Sequence, residues 1–161
     1  MVEPAIIHDT FVIERTYPAP VERVFAFLSD PAKKRRWYAD SATHTVESFE
    51  MDFREGGTER NRYIMNEHTP FPGSVLANDG TYQDIVPGRR VVLATSMTLA
   101  DRRISCSLIT IELLPSDVAT KVILTHQAVF FENSGGPQMR KDGWDHLLDR
   151  LGETLAEHEW N

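Results

Sequence analysis

The sequence predicts an α+β domain in which a curved antiparallel sheet wraps around a long C-terminal helix, with two short helices after the first strand. Three observations carry that prediction. From Pro137 to Trp160 the apolar residues Trp144, Leu147, Leu148, Leu151 and Leu155 recur at helical spacing and share one face. Nearly everything between Val46 and Phe131 reads as strands and turns. Consecutive strands joined by short turns pair antiparallel, and their twist curls the meander into a cup whose concave side needs a cover. The C-terminal helix is the one large element that can supply it.

Each element has its own signal. Residues 11 to 17 alternate as a strand with Phe11, Ile13 and Tyr17 on one side. Ala19-Pro20 opens a helix that carries Val21, Val24, Phe25 and Leu28 at i, i+3, i+4 and i+7. Asp30-Pro31, an N-cap followed by a proline, launches a short helix ending near Trp37. Residues 46 to 53 form a strand, and Gly56-Gly57 permits a tight turn into the next, 58 to 67. Residues 68 to 79 hold two prolines, a glycine and the start of Asn78-Asp79-Gly80, so they read as a loop or irregular edge. Strands follow over 80 to 86 and 90 to 99, joined by Pro87-Gly88, then over 103 to 114 and 119 to 131, joined around Ser116-Asp117. Gly135-Gly136 ends the sheet, and Pro137 suits the first turn of the last helix.

The chain has 161 residues, which fits one domain with its own core, and 41% of them are hydrophobic. A single domain over 1–161, its core over about 11–160, is therefore expected. The single cysteine, Cys106, excludes an internal disulfide framework and fits a reducing cytoplasm. The apolar run Pro4 to Ile7 is too short for a signal peptide, and no stretch reads as a membrane span. A formal charge of -7 disfavours nucleic-acid binding, and the basic run Lys33-Lys34-Arg35-Arg36 reads as a solvated helix face. The histidines are scattered, so no metal and no cofactor are expected.

Taken in order, Arg15, Tyr17, Ala19-Pro20, Val24-Phe25, Asp30-Pro31 and Trp37-Tyr38, then Gly56-Gly57, Gly80, Tyr82, Pro87, Arg90, Ser107, Thr110, His126 and Gly143-Trp144 resemble a known family. The chain is similar to the START-like helix-grip superfamily (SRPBCC), in the branch of the C-terminal domain of Aha-type activators of the heat-shock chaperone ATPase. The likeness runs from about Phe11 to the end. It implies a deep cavity between sheet and long helix for a small apolar or amphipathic molecule. The co-chaperones of that family carry an additional N-terminal domain, for which there is no room ahead of residue 11. Contact with a chaperone is therefore not expected.

Candidate site residues follow from side-chain parity. His126 alternates with Val122 and Leu124, so it faces the cavity, either as a ligand contact or base or as a buried histidine satisfied by a neighbouring hydroxyl or carbonyl. Glu59, Asn61 and Tyr63 share one face of their strand. Inward, they line the pocket with Glu59 as a candidate general base; outward, they are solvated. Phe49, Met51 and Phe53 make the natural inner face of their strand, leaving Glu50, Asp52 and Arg54 outside. Arg140 falls on the helix face of Trp144 and Leu147, where it either holds a ligand carboxylate or phosphate or snorkels to solvent. Trp37, Tyr82, Met97, Trp144, Leu147 and Leu148 are the expected apolar lining. The leading expectation is a cytoplasmic small-molecule binder. The alternatives are a cyclase- or hydrolase-like enzyme using His126 and Glu59, and a chaperone-type partner module. Open sheet edges also leave room for a homodimer.

Overall fold

A computed structural model describes residues 6–157. Residues 1–5 and 158–161, on which the expected helix end at Trp160 falls, lie outside the described residues. Strand β1 (Ile7–Tyr17) is followed by helices α1 (Val21–Ser29) and α2 (Pro31–Tyr38). Six strands come next: β2 (His44–Met51), β3 (Thr58–Met65), β4 (Val75–Val86), β5 (Arg90–Leu99), β6 (Arg102–Pro115) and β7 (Thr120–Phe130). Helix α3 (Gly136–Glu157) is the last element among the described residues. The α+β helix-grip arrangement expected from the sequence is the one observed.

All neighbouring strands are antiparallel, in the order β1-β7-β6-β5-β4-β3-β2. Strands β1 and β2 are thus opposite edges of one seven-stranded sheet, and α1 and α2 carry the chain between them. That path places the short helices across one end of the cup, and α3 packs against both of them and against β1. Tyr17 on β1 donates its hydroxyl to the Leu148 carbonyl of α3 at 2.7 Å. A Cβ on Gly152 would sit 3.1 Å from the same Tyr17 ring, so a bare backbone allows the helix this close. The core gathers Ile13, Val24, Leu28, Trp37, Leu113, Val122, Leu124, Leu151 and Leu155 beneath these helices.

The α2 start is as expected: the Asp30 carboxylate accepts from the backbone N–H groups of Ala32 and Lys33. Gly56-Gly57 is required by its turn. Gly56 has φ of +81°, and a Cβ on Gly57 would lie 2.0 Å from the Asp52 carbonyl oxygen.

Three expectations are corrected. The stretch 68–79 is not all loop: β4 begins at Val75, so Asn78-Asp79-Gly80 sits within a strand. Asp79 is held on the outer face by Arg60 and Arg62, and Gly80 pairs with Glu59 and Thr95. Helix α1 buries Val24, Phe27 and Leu28, with Phe25 only half-buried, because its inner face is turned toward Trp37, whose indole N–H donates to the Phe27 carbonyl. Lys34 does not belong to a solvated face; it is 6% exposed and reaches inward to Glu59.

Candidate functional site

The concave face of the sheet is ordered in rows fixed by strand register. One row runs Asn61, Asn78, Met97, Ser105, Phe130 across β3 to β7; the next runs Glu59, Gly80, Thr95, Ser107, Ala128. A third runs Tyr82, Leu93, Ile109, His126 and ends at Phe11 on β1. The first two rows put a polar band across a surface that is otherwise apolar. A register shift after Met97 leaves Ile104 as an extra residue on β6, and its side chain is buried beside that of Ser105.

Between this face and α3 lies a cavity of about 360 Å³. Its inner wall includes Asn78, Met97, Ile104, Ile109 and His126 from the sheet, and Arg140, Gly143, Trp144 and Leu147 cover it from α3. Tyr38, His44 and Tyr63 close a third side. Phe71, from the 66–74 turn, and Met139 are exposed members of the lining and mark its mouth. A second space of about 20 Å³ lies deeper, bounded by Trp37, Tyr82, Leu93, Ile111 and Lys34.

The sequence candidates separate between these places. Tyr63, Met97, His126, Arg140, Trp144 and Leu147 line the large cavity. Trp37, from α2, and Tyr82, from β4, line the small space instead. Leu148 is 2% exposed in the core, turned one helical step away from Leu147. Asn61 is fully buried on the inner face beside Asn78, though it is not among the cavity-lining residues. The sequence reading missed Asn78, Ser105, Ile104 and His44, which strand pairing brings to this region.

Glu59 faces inward but is already engaged. Its Oε1 accepts from Lys34 Nζ at 2.5 Å and from the Tyr82 hydroxyl at 2.6 Å. It is absent from the cavity lining, so the acid–base pair of Glu59 with His126 does not meet in one pocket. Lys34 also lies 4.6 Å from the centre of the Tyr38 ring, which the ammonium faces.

His126 has a different environment. Its ring stacks on Phe11 at 4.6 Å and lies 6.2 Å from Phe130, and neither ring nitrogen has a hydrogen-bond partner among the described residues. The sequence reading of a histidine satisfied by a nearby hydroxyl or carbonyl is therefore not what the fold provides. Burial first, and then the Arg140 charge, pull its pKa down to about 4, so the ring is neutral at pH 7. Asn61, Tyr63 and Ser107 likewise keep buried side-chain polar atoms without a partner among the described residues. Each such atom costs about 1–3 kcal/mol when nothing answers it, and of these groups Tyr63 and His126 line the cavity.

Arg140 does not snorkel away. Its Nη2 donates to Ser105 Oγ at 2.8 Å and to Met97 Sδ at 3.1 Å, and its guanidinium lies 5.3 Å from the centre of the Phe130 ring. Burial lowers its pKa to about 10, which still leaves it charged at pH 7. His44 is held in place by its Nε2 donating to the Ala39 carbonyl, and its ring stacks on Tyr63 at 4.4 Å.

Residues 18–156 match the family model described as Activator of Hsp90 ATPase homolog 1-like protein. No curated protein matches the chain. Among solved structures the chain is similar to a protein from Rhizobium leguminosarum, with 37% identity and a TM-score of 0.88 over 95% of this chain and 97% of that one. A protein from Rhizobium loti is 36% identical, with a TM-score of 0.82 over 94% of this chain and 99% of that one. A protein from Chromobacterium violaceum, 23% identical with a TM-score of 0.73 over 91% and 96% of the two chains, shares the fold.

Proposed function

The chain belongs to the Activator of Hsp90 ATPase homolog 1-like protein family, and within it we propose a protein that binds a small apolar or amphipathic molecule between its sheet and α3. The observation that carries this reading is the cavity itself. At about 360 Å³ it falls within the range of small-molecule sites, and it joins apolar walls to a few polar groups. A sealed, dry void of that size would cost on the order of 9 kcal/mol at about 24 cal/mol per Å³, comparable to the net stability of a whole domain. That magnitude favours a space that admits a ligand through its mouth over a packing fault. The family description names activation of a chaperone ATPase; the present reading rests on the interior instead.

The test is native mass spectrometry of freshly purified protein, paired with a thermal-shift screen of lipid-like and aromatic compounds. A ligand at a hundred times its Kd is expected to add about 2.7 kcal/mol of stability. Gly143 supplies the control. It lies on the cavity face of α3 with no atom within 4 Å of where a Cβ would be, so Gly143→Leu enters open space. That variant is expected to gain about 0.5–1 kcal/mol of stability from helix propensity, while losing ligand. A screen in which no compound shifts the wild type, with no molecule released on denaturation, would sink the reading.

A further inference from the structure

We propose that the molecule held in this cavity is an amphipathic monocarboxylate, its carboxylate bound by Arg140 and its apolar body lying against Trp144, Leu147 and Ile104. This deepens the cavity reading above and rests on it.

The argument starts from an oddity of charge. The chain has 24 acidic residues against 17 Lys and Arg, yet Arg140 has no carboxylate partner among the described residues. The acids around it are occupied elsewhere: Asp145 by Arg15 and Lys141, Asp142 by Gln138, Asp40 by Arg35. Arg140 instead faces a neutral hydroxyl, a thioether and an aromatic ring, all of which leave its charge uncompensated in a poorly solvated place. Only Nη2 is engaged, so the guanidinium keeps further N–H donors for the planar, two-oxygen acceptor that it suits best.

Its surroundings decide the class of anion. The other titratable groups of the lining are His126, neutral at pH 7, Tyr38 and Tyr63, whose burial raises their pKa, and His44, Asp40, His146 and Arg150. Arg150 donates its Nη2 to the Arg36 carbonyl, so Arg140 is the cation set directly against the polar band. A dianionic phosphate would keep one charge unpaired there, and an amine would meet a like charge. Ser105, wholly buried behind the lining, accepts from Arg140 and ties it to the sheet, while His126 brings a wholly buried imidazole with two unanswered nitrogens to the cavity wall. A carboxylate satisfies both the charge and the donors. The apolar lining beyond it then takes the rest of the molecule.

The experiment compares matched probes by quenching of tryptophan fluorescence and by calorimetry: decanoate, decanol, decylamine and decyl phosphate, with naphthoate and naphthol as the aromatic pair. The wild type is expected to bind each carboxylate about tenfold to a hundredfold tighter than its alcohol. Arg140→Met is expected to erase that preference while keeping the alcohol affinity, and to unfold at an equal or higher temperature than the wild type. Arg140→Lys is expected to restore part of the preference, since it returns the charge without the fork. Equal affinity for acid and alcohol in the wild type overturns this proposal and leaves the cavity reading standing. Tightest binding of decyl phosphate or decylamine overturns the carboxylate assignment. Binding of none of the probes overturns the proposal together with the cavity reading.

Discussion

Glu59→Leu is expected to destabilise the protein by about 3–5 kcal/mol, and Lys34→Met by a similar amount, whereas the double variant Lys34→Met/Glu59→Leu costs less than either alone. The reason is desolvation. The two side chains are only 8% and 2% exposed and meet at 2.5 Å, joining α2 to the inner face of β3. Removing Glu59 strands an ammonium beside the Tyr38 ring and deprives the Tyr82 hydroxyl of its acceptor. Removing Lys34 strands a carboxylate with one hydroxyl to answer it. Replacing both leaves two apolar side chains in contact, in a region already lined by Trp37, Leu93 and Ile111. Urea denaturation of the four proteins at neutral pH measures the cycle. Equal losses in the singles and the double, or singles that lose less than about 1 kcal/mol, would show that the pair is not buried as described. A further consequence distinguishes this pair from catalytic groups: the ligand preferences of whatever folded protein remains should be unchanged, because Glu59 does not line the large cavity.

How much of this was readable beforehand depends on whether local pattern or distant partner decides a residue's place. Strands β5 to β7 and helix α3 were legible because apolar alternation, Pro87-Gly88 and Gly135-Gly136 agree with the final pairing. The start of β4 was not. Asn78-Asp79-Gly80 is a turn sequence by composition, yet Asp79 is held outside by Arg60 and Arg62 and Asn78 joins the polar band inside, so tertiary pairing overrides the local preference. Strand β3 had no legible face at all. Glu59 and Asn61 alternate with Arg60 and Arg62, and neither set is apolar; only the partner lysine on α2 settles which set turns in. Lys34 was hidden for the same reason, since one lysine in a run of four basic residues looks like its neighbours until a buried carboxylate selects it. His126 and Arg140 were both picked out by parity and helical spacing, while Ser105, which links Arg140 to the sheet, needed the register of β6 against β5. The apolar half of the site is written in periodicity, and the polar half in pairing.

Acid is expected to weaken the protein through His126. Its folded-state pKa, lowered to about 4, lies below the ordinary value of 6.5, so the unfolded chain takes up a proton first as pH falls. The stability supplied by the neutral ring is therefore complete above pH 6.5 and is lost progressively down to about pH 4. Between pH 7.5 and pH 5 the loss comes to about 2 kcal/mol, and over the whole window to about 3 kcal/mol. Two features of the site make the cost real. The ring is buried between Phe11 and Phe130 without a hydrogen-bond acceptor among the described residues, and Arg140 stands near enough for its charge to oppose a second one. The informative quantity is the difference between wild type and His126→Leu. Urea midpoints of both proteins at pH 7.5 and pH 5 should diverge, the wild type falling by about 2 kcal/mol more than the variant. Parallel curves would mean that the imidazole is solvated or already charged. The same pair of measurements with decanoate present connects the ring to the proposed ligand. A bound carboxylate neutralises Arg140 and offers the imidazolium an acceptor, so it should narrow the gap between the two proteins at pH 5, whereas decanol should leave it unchanged.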